Sequence, residues 1–371
     1  MSFTSQDDHK PVIAVLTVAD PARKFAGNHA NFRDILKTGK ELGYQVYVLT
    51  TRDLKLSADQ VQGYTYQADG KQWIQQSFPL PDIIYSRIPN REEEKKGVIQ
   101  RKISACLSHP HIQLFNPFFF NKWKLFGWLR KSKQTAGFVP ATKRLGSRSS
   151  LAAMLAEYPQ LYLKPESGKA GKGIMKLTHD PQDKKPYKLI IQAPNRNVIY
   201  KTSKFPLLWR RIRLETGKTP YIMQQEIKLA SYQGRRFDLR VLVQKTSRGF
   251  WSVTGTGARL AGRKRITTHV PQGGSVENPK EMLLPVFGSE TTEELLELTR
   301  TSSLVIARQI ERACGHKLGE MSMDLGVDED GKLWFFEANS RPMKFDEPQI
   351  RQKSLQRLFQ YSNYLSKTKK G

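Results

Sequence analysis

Acidic residues are scarce in this chain: 34 Asp and Glu stand against 61 Lys and Arg, a net charge of +27 over 371 residues. An imbalance of this size bears on partners rather than on fold. It points to anions such as nucleic acid, an anionic polymer or phosphate-rich ligands, unless it is only a solvated surface. Cysteine is nearly missing. Cys106 and Cys314 stand apart with no metal-ligand spacing, as expected of two reduced thiols in a cytoplasmic protein. No 18-residue apolar run exists, which removes a membrane-spanning helix. The first residues, MSFTSQDDHKP, lack the basic-then-apolar pattern of a secretion signal. The seven His form no cluster, and no Ser/His/Asp or Cys/His nucleophile is evident. Internal repeats and aromatic RNA-stacking modules are also missing.

What is present is enough for a sizeable core: 38% apolar residues, with 18 Phe, 13 Tyr and 6 Trp. The length favours two domains or one multi-lobed unit. PVIAVLTV (11–18) reads as a buried strand, residues 29–43 as a helix with Phe32, Ile35, Leu36 and Leu42 on one face, and YQVYVLT (44–50) as the next strand. Strand, helix, strand implies a parallel βαβ start. Further strands are expected at 81–89 and 112–116, with a helix at 93–109 between them, giving an open α/β domain over residues 1–117. Beyond it, helices are expected at 122–137, 149–159 and 291–315, the last with a Thr291/Glu294 capping box and Gly315 as its stop. Strands are expected at 221–227, 237–245 and 251–260. Residues 184–218 hold ten Lys or Arg against one acid, Glu215, and their middle reads as a short basic helix.

The most informative stretch is KLWFFEANSRP, residues 332–342. Glu337 and Asn339 fall at i and i+2, so a strand puts both oxygens on one face. Upstream, MSMDLGVDEDGK alternates in the same way, and Asp330-Gly331 between the two runs signals a two-residue hairpin turn. That turn places Asp324 opposite Glu337. Carboxylates directly across a ladder sit about 5 Å apart at Cβ and repel. A shared proton, a pair of surface lysines or a hard divalent cation could offset the repulsion, and Asp, Glu and Asn oxygens suit Mg²⁺. A solvated hairpin face is the competing reading.

KPESGKAGKGI (164–174) is a candidate phosphate cradle: its glycines let backbone N–H groups approach an anion, and Lys169 and Lys172 add charge. It is neither a Walker A loop, since Ile174 follows Gly173, nor a G-x-G-x-x-G fingerprint. A mobile hairpin tip would look the same. Lys164 lies in an apolar strand, where a lysine either snorkels or pairs with a fixed anion.

In this order, a first lysine, a strand lysine before a Gly-rich loop, a linker strand, then Asp and E-x-N resemble the ATP-grasp superfamily over roughly residues 116–345. The spacing of Asp324, Glu337 and Asn339 is similar to that of D-alanine–D-alanine ligases. PDIIYSRIPNREEE, FNPFFFNKWKLF, FVPAT, YLKPESGKAGKGI, FDLRVLV and EANSRP together resemble the endospore coat-associated YheC/YheD family. The resemblance implies an ATP-grasp domain at 118–371, with a lid at about 138–222 and a metal and nucleotide subdomain at about 223–345, preceded by a small α/β pre-ATP-grasp domain. It implies Lys122 as the first nucleotide lysine, with Lys124 as the alternative, and Lys164 as the second. Ser167, Gly168, Lys169, Gly171, Lys172 and Gly173 would form the loop over the phosphates. Gln224, Gln225, Glu226 and Ile227 would be the adenine hinge, with Asp238 near the ribose. Asp324, Glu337 and Asn339 would hold Mg²⁺ or Mn²⁺. Arg240 and Arg259 are candidates for the γ-phosphate or an acyl-phosphate oxygen, and an ion pair is an equal reading of Arg240. Two departures fall on the acceptor side: Ser322 stands where such ligases often carry a basic residue, and Met343 where many have glycine.

The implied activity is an ATP-dependent, ADP-forming carboxylate–amine or carboxylate–thiol ligation through an acyl phosphate, in a sporulation context. The alternatives are a spore-coat structural protein that binds nucleotide without turnover and an anionic-polymer binder. The basic 184–218 segment could recruit an acidic acceptor or polymer, or be a solvated face. The expected location is cytoplasmic, with association to the spore coat.

Overall fold

The computed structural model describes residues 10–168, 171–193, 197–262, 274–345 and 347–368. Three six-stranded sheets carry the architecture. In the first, Val46–Thr50, Ile13–Thr17, Ile83–Ser86 and Gln113–Phe115 run parallel in that order. IAVLT and VYVLT are buried at every position, as strands covered on both faces must be. The intervening helix, His29–Glu41, turns Phe32, Ile35 and Leu36 inward, and the Asn28 side chain caps it by accepting from the Asn31 N–H. An antiparallel hairpin, Gln60–Gln67 and Gln72–Pro79, extends this sheet at one edge. Sequence reading missed it because its strands are rich in Gln and bury only a few positions each.

The second sheet is antiparallel, in the order Val198–Thr202, Tyr187–Ile191, Met175–His179, Gln160–Pro165, Tyr221–Gln225, Thr142–Arg144. Helices Arg148–Glu157 and Phe205–Thr216 supply Leu151, Met154, Leu208 and Ile212 to one face, against Leu161, Leu163, Leu177 and Met223.

The third sheet orders Ser275–Glu277, Trp251–Leu260, Arg235–Lys245, Glu320–Val327 and Leu333–Asn339, all antiparallel, with Ser231–Tyr232 paired alongside. Its apolar face, with Val241, Val243, Met321, Met323 and Leu325, packs with residues of helices Lys122–Arg130 and Ser289–Cys314 in the largest core. Residues directly across an antiparallel ladder share a face. The opposite face therefore carries Arg240, Asp324 and Glu337 in one row, Leu242, Ser322 and Asn339 in the next, and Gln244 and Glu320 beyond. The last helix, Pro348–Lys367, lies over part of this face, and Gly255 makes room for it: a Cβ there would fall 2.4 Å from Ile350.

Three local expectations need correction. The helix expected at 122–137 is two, Lys122–Arg130 and Lys133–Ala136, broken at Ser132. The long helix begins at Ser289, so Thr291 lies inside its first turn. Gly288, at φ 77°, reverses the chain there and no side chain caps the helix. Asp330-Gly331 is not a two-residue turn. Val327 pairs with Leu333, so the loop spans Asp328–Lys332, and the Asp328 carboxylate organises it by accepting from the Asp330 and Lys332 N–H groups. That displaces the register by one. A bulge at Phe336, between the pairs Leu325–Phe335 and Asp324–Glu337, displaces it back. Asp324 and Glu337 are opposite each other after all.

The first and third sheets are joined by buried polar contacts from the segment after the E-x-N strand. The Arg341 side chain is 2% exposed and pairs with Glu94 at 2.8 Å. It also donates to the carbonyls of Ile88, Asn116 and Pro117 and to the Ser86 hydroxyl. Burial is the main reason its guanidinium falls to about 10, against the opposing pull of Glu94. Arg341→Met removes the cation paired with Glu94, which among the described residues keeps only the Phe119 N–H, and leaves these acceptors without the Arg341 donor. We expect a loss of about 3–5 kcal/mol in stability, read by denaturant unfolding.

Candidate active site

The site lies where the Lys122 helix and the second sheet meet the polar face of the third. Asp324 and Glu337 face each other on neighbouring strands, and each is held by a buried cation. Lys122, at the first position of its helix and 6% exposed, reaches Glu337 Oε1 at 2.5 Å. Arg259 Nη2 lies 2.8 Å from Asp324 Oδ2 and 2.8 Å from Asp238 Oδ2, and Arg259 Nε donates to Asp238 Oδ1 at 2.8 Å. Desolvated by burial but gripped by Asp238 and Asp324, Arg259 is held above the usual arginine range. The expected repulsion is thus offset by a buried lysine and arginine rather than by surface lysines. Lys124, two residues from Lys122, is exposed.

Lys164 enters from the second sheet. Its Nζ donates to Gln224 Oε1 at 2.6 Å and lies over the Tyr162 and Phe336 rings at 5.5 and 5.3 Å. Burial first, then Lys122, push its ammonium down to about 8, against the pull of Glu337, Asp324 and Asp238. Gln224 is 1% exposed and braced by Thr142 Oγ1 at 2.9 Å. The structure thus brings Lys122, Lys164, Gln224, Asp238, Arg259, Asp324 and Glu337 into one cluster. Arg240 sits across the ladder from Asp324, its guanidinium 5.2 Å from the Phe345 ring. Asn339 is half-buried two residues from Glu337.

Other expected residues are used differently. Gln225 Oε1 accepts from the Ala141 N–H at 2.7 Å. Glu226 pairs with Lys176 at 2.7 Å and Arg236 at 2.8 Å. The N–H groups of Gln225 and Glu226 donate to the Ala141 and Gln160 carbonyls. Ile227 is buried just beyond them. Asp238 gives both oxygens to Arg259 and is 3% exposed. In the Gly-rich loop, Ser167 and Gly168 follow Glu166, whose carbonyl accepts from the Lys122 N–H. Gly171 and Gly173 take φ of 74° and 73°, a conformation that favours glycine. The loop is fastened by Gln192 to the Gly171 carbonyl and by the Tyr221 hydroxyl to the Gly173 carbonyl. Lys172 continues the loop between these glycines, and Lys169 lies outside the described residues. Sequence reasoning assigned no role to Arg91, which donates to the Phe120 carbonyl at 2.6 Å and is near enough to Glu337 and Glu94 for their charge to oppose the lowering that burial imposes on it. Its only signal was membership of the SRIPNREEE stretch.

The donor set of Asp324, Glu337 and Asn339 is all oxygen, which fits a hard divalent cation. Among the described residues, no cluster of three His, Cys, Asp or Glu side chains is placed to hold a metal. An ion here would therefore complete its shell with Asn339, water and ligand oxygens.

The architecture is that of the ATP-grasp proteins. A family model for YheC/D-like ATP-grasp domains matches residues 111–365, and the chain belongs to that family. It is 28% identical over 368 residues to the endospore coat-associated protein YheD of Bacillus subtilis, covering 96% of this chain and 79% of that protein. Among solved structures, the D-cycloserine synthetase DcsG matches with a TM-score of 0.53 at 16% identity, over 93% of this chain and 99% of that one. The D-alanyl-alanine synthetase A of Vibrio cholerae matches with a TM-score of 0.52 at 12% identity, over 96% and 97%. These structural likenesses concern the fold alone. No helix among the described residues is long and apolar enough to cross a membrane.

The low position of Lys164 has a measurable consequence. Unfolded, a lysine titrates near 10.4; folded, Lys164 titrates at about 8. Below pH 8 the fold carries a desolvated ammonium at a cost. Between about pH 8 and 10.4 the unfolded chain binds the extra proton, so this group's contribution rises with pH. We expect Lys164→Met to stabilise the nucleotide-free protein by about 2 kcal/mol at pH 7, with the gain shrinking toward pH 10, in unfolding titrations across that range.

Proposed function

We propose that the protein binds MgATP and is an ADP-forming carboxylate–amine or carboxylate–thiol ligase acting through an acyl phosphate, in association with the spore coat. The observation that carries this reading is the convergence of Lys122 and Lys164 on the Asp324–Glu337 pair. Two lysines beside two carboxylates make a site in which phosphate oxygens and a cation can be neutralised together. In this reading Lys122 and Lys164 hold the phosphates, and the loop of Ser167 to Gly173 closes over them. The adenine is met at the strand Gln224 to Ile227. Because Gln225 and Glu226 already donate their N–H groups within the protein, the hinge contact falls to backbone at Ile227. Asp324, Glu337 and Asn339 would hold Mg²⁺ or Mn²⁺, which when bound would neutralise charge on the phosphates. Asp238 acts by fixing Arg259 rather than by meeting the ribose, and Arg259 in turn holds the Asp324 carboxylate in place. Arg240, half-buried beside Phe345, stabilises the transferring phosphoryl group. The substrate carboxylate attacks the γ-phosphate, the bond to ADP breaks, and a nucleophile then displaces phosphate from the acyl group. The chain's part is positioning and exclusion of water.

The lid favours an acidic acceptor. Helices cover one face of the second sheet; the other carries Lys164, Lys176, Lys188 and Lys201 on four successive strands. Lys188 and Lys201 are direct cross-strand partners; Lys201 already pairs with Asp183 at 2.9 Å, so an anion on this face would be met chiefly by Lys188. Part of the basic 184–218 segment thus faces the cleft side of the lid, while residues 194–196 lie outside the described residues.

Calorimetric titration of ATP with and without Mg²⁺ tests the reading. We expect Mg²⁺-dependent binding by the wild type, weakened on the order of tenfold or more in Glu337→Gln. Absence of binding by the folded wild type would overturn it.

A further inference from the structure

On the polar face of the third sheet, the Leu242 row lies two residues along the strand from Arg240, about 7 Å. Beside Leu242 a cleft opens between the first sheet, the segment after E-x-N and the last helix, enclosing about 360 Å³, part of it open to solvent. Arg87, Lys344 and Arg351 line it. Among the described residues, Glu320 in its wall faces Arg87 and Asp34 at the rim faces Arg351, which leaves Lys344 as the surplus cation. Glu320 is already committed: it accepts from the Tyr85 hydroxyl, from Arg87 Nη1 at 3.3 Å and from Gln244 Nε2 at 3.3 Å. Arg351 spends Nη2 on Asp34 at the rim, at 2.7 Å. Its Nε is buried without a hydrogen-bond partner among the described residues, and so are Arg240 Nε and Ser322 Oγ on the adjoining face. Phe345 connects the two places: its ring lies beside the Arg240 guanidinium and it also lines the cleft.

Buried cationic donors without acceptors are costly unless an anion meets them. Much of the cleft is open to solvent and its enclosed part has room for only a few atoms; it is also polar, so the anion is a single compact group. We propose that this cleft binds a carboxylate of the ligase substrate, and that the substrate is a small diacid: one carboxylate is held between Arg87, Lys344 and Arg351, while the other reaches past Phe345 to Arg240 and the Asp324–Glu337 end. The two rows are one side-chain repeat apart on the sheet, which is why the diacid proposed is a short one. The absence of a basic residue at position 322 fits the same arrangement, because the charge that would hold the substrate comes from the first sheet and the last helix instead. The role as substrate site rests on the ligase reading; the binding of a diacid does not.

The test is calorimetric titration of glutarate, and separately of the monoacid valerate, into the full chain, with MgATP titrated into the same preparations. We expect the wild type to bind glutarate about tenfold more tightly than valerate. Arg351→Met and the exposed Lys344→Met should each weaken glutarate binding about tenfold while MgATP affinity stays as in the wild type. Lys344 is at the surface, so its variant keeps the test valid if Arg351→Met does not fold. Binding of MgATP without glutarate overturns the proposal and leaves the nucleotide reading intact. Equal glutarate affinity in the wild type and Lys344→Met, or equal affinity for both acids, also overturns it. Glutarate binding without MgATP binding supports the cleft and removes the ligase reading.

Discussion

The pairing of Asp324 with Glu337 across one ladder is the constraint around which the centre of the molecule is arranged. Two carboxylates on facing strands in a half-dry cleft cannot both be ionised without nearby positive charge. The chain supplies it from two directions. Arg259 comes from the neighbouring region of the same sheet and is oriented by a third carboxylate, Asp238. Lys122 comes from a helix outside the sheet. The Arg259 contact is rigid, with its partners 3% and 4% exposed, and its planar fork is suited to bridging carboxylates. The Lys122 contact is a single bond from a flexible side chain. Only the second is easily exchanged for another anion, so the sheet end of the cluster behaves as scaffold and the helix end as the responsive part.

The same logic explains why the first sheet is fastened to the third by buried polar groups rather than by an apolar seam. Asn116, at φ 55° and fully buried, accepts from the Gly319 N–H and donates to the Glu320 and Ser340 carbonyls. Arg341 and Glu94 add the ion pair, and Arg87 reaches the Pro342 carbonyl. Each contact ends on the segment that follows Glu337 and Asn339, or on the strand of Asp324. Hydrogen bonds of this kind are directional, and they fix the orientation of the two sheets more narrowly than side-chain packing would. The position of the site carboxylates relative to the first sheet is therefore determined by residues that never touch them.

Much of this was legible in the sequence, though not always for the right reason. The buried strands of the first sheet, the lysine in an apolar strand and the D…E-x-N spacing announce themselves through periodicity and composition. The facing of Asp324 and Glu337 was inferred from a tight turn at Asp330-Gly331. The loop is five residues long, and a bulge at Phe336 restores the pairing. Asp328 accounts for the first displacement, since its carboxylate substitutes for the ladder by holding two loop N–H groups. Neither the bulge nor the grip of Arg259 on Asp238 has a local signature. Both depend on strands brought together from distant parts of the chain, as does Arg341, whose partners lie more than two hundred residues away.

The large positive charge also divides once it is placed in space. Within the central cluster, Lys122, Lys164 and Arg259 face Asp238, Asp324 and Glu337, so the site itself is close to balanced. Burial and the neighbouring Lys122 push the Lys164 ammonium down to about 8, against the pull of the carboxylates, and a polyanionic ligand would hold that ammonium more firmly. Further lysines lie outside this cluster, among them Lys188 on the open face of the second sheet and Lys344 at the cleft beside Glu320. A basic surface alone would attract anions without discrimination. In the proposed reading a near-balanced centre would take a ligand that brings its own cation with its phosphates, while cations outside it, such as Lys188 and Lys344, would meet acidic groups.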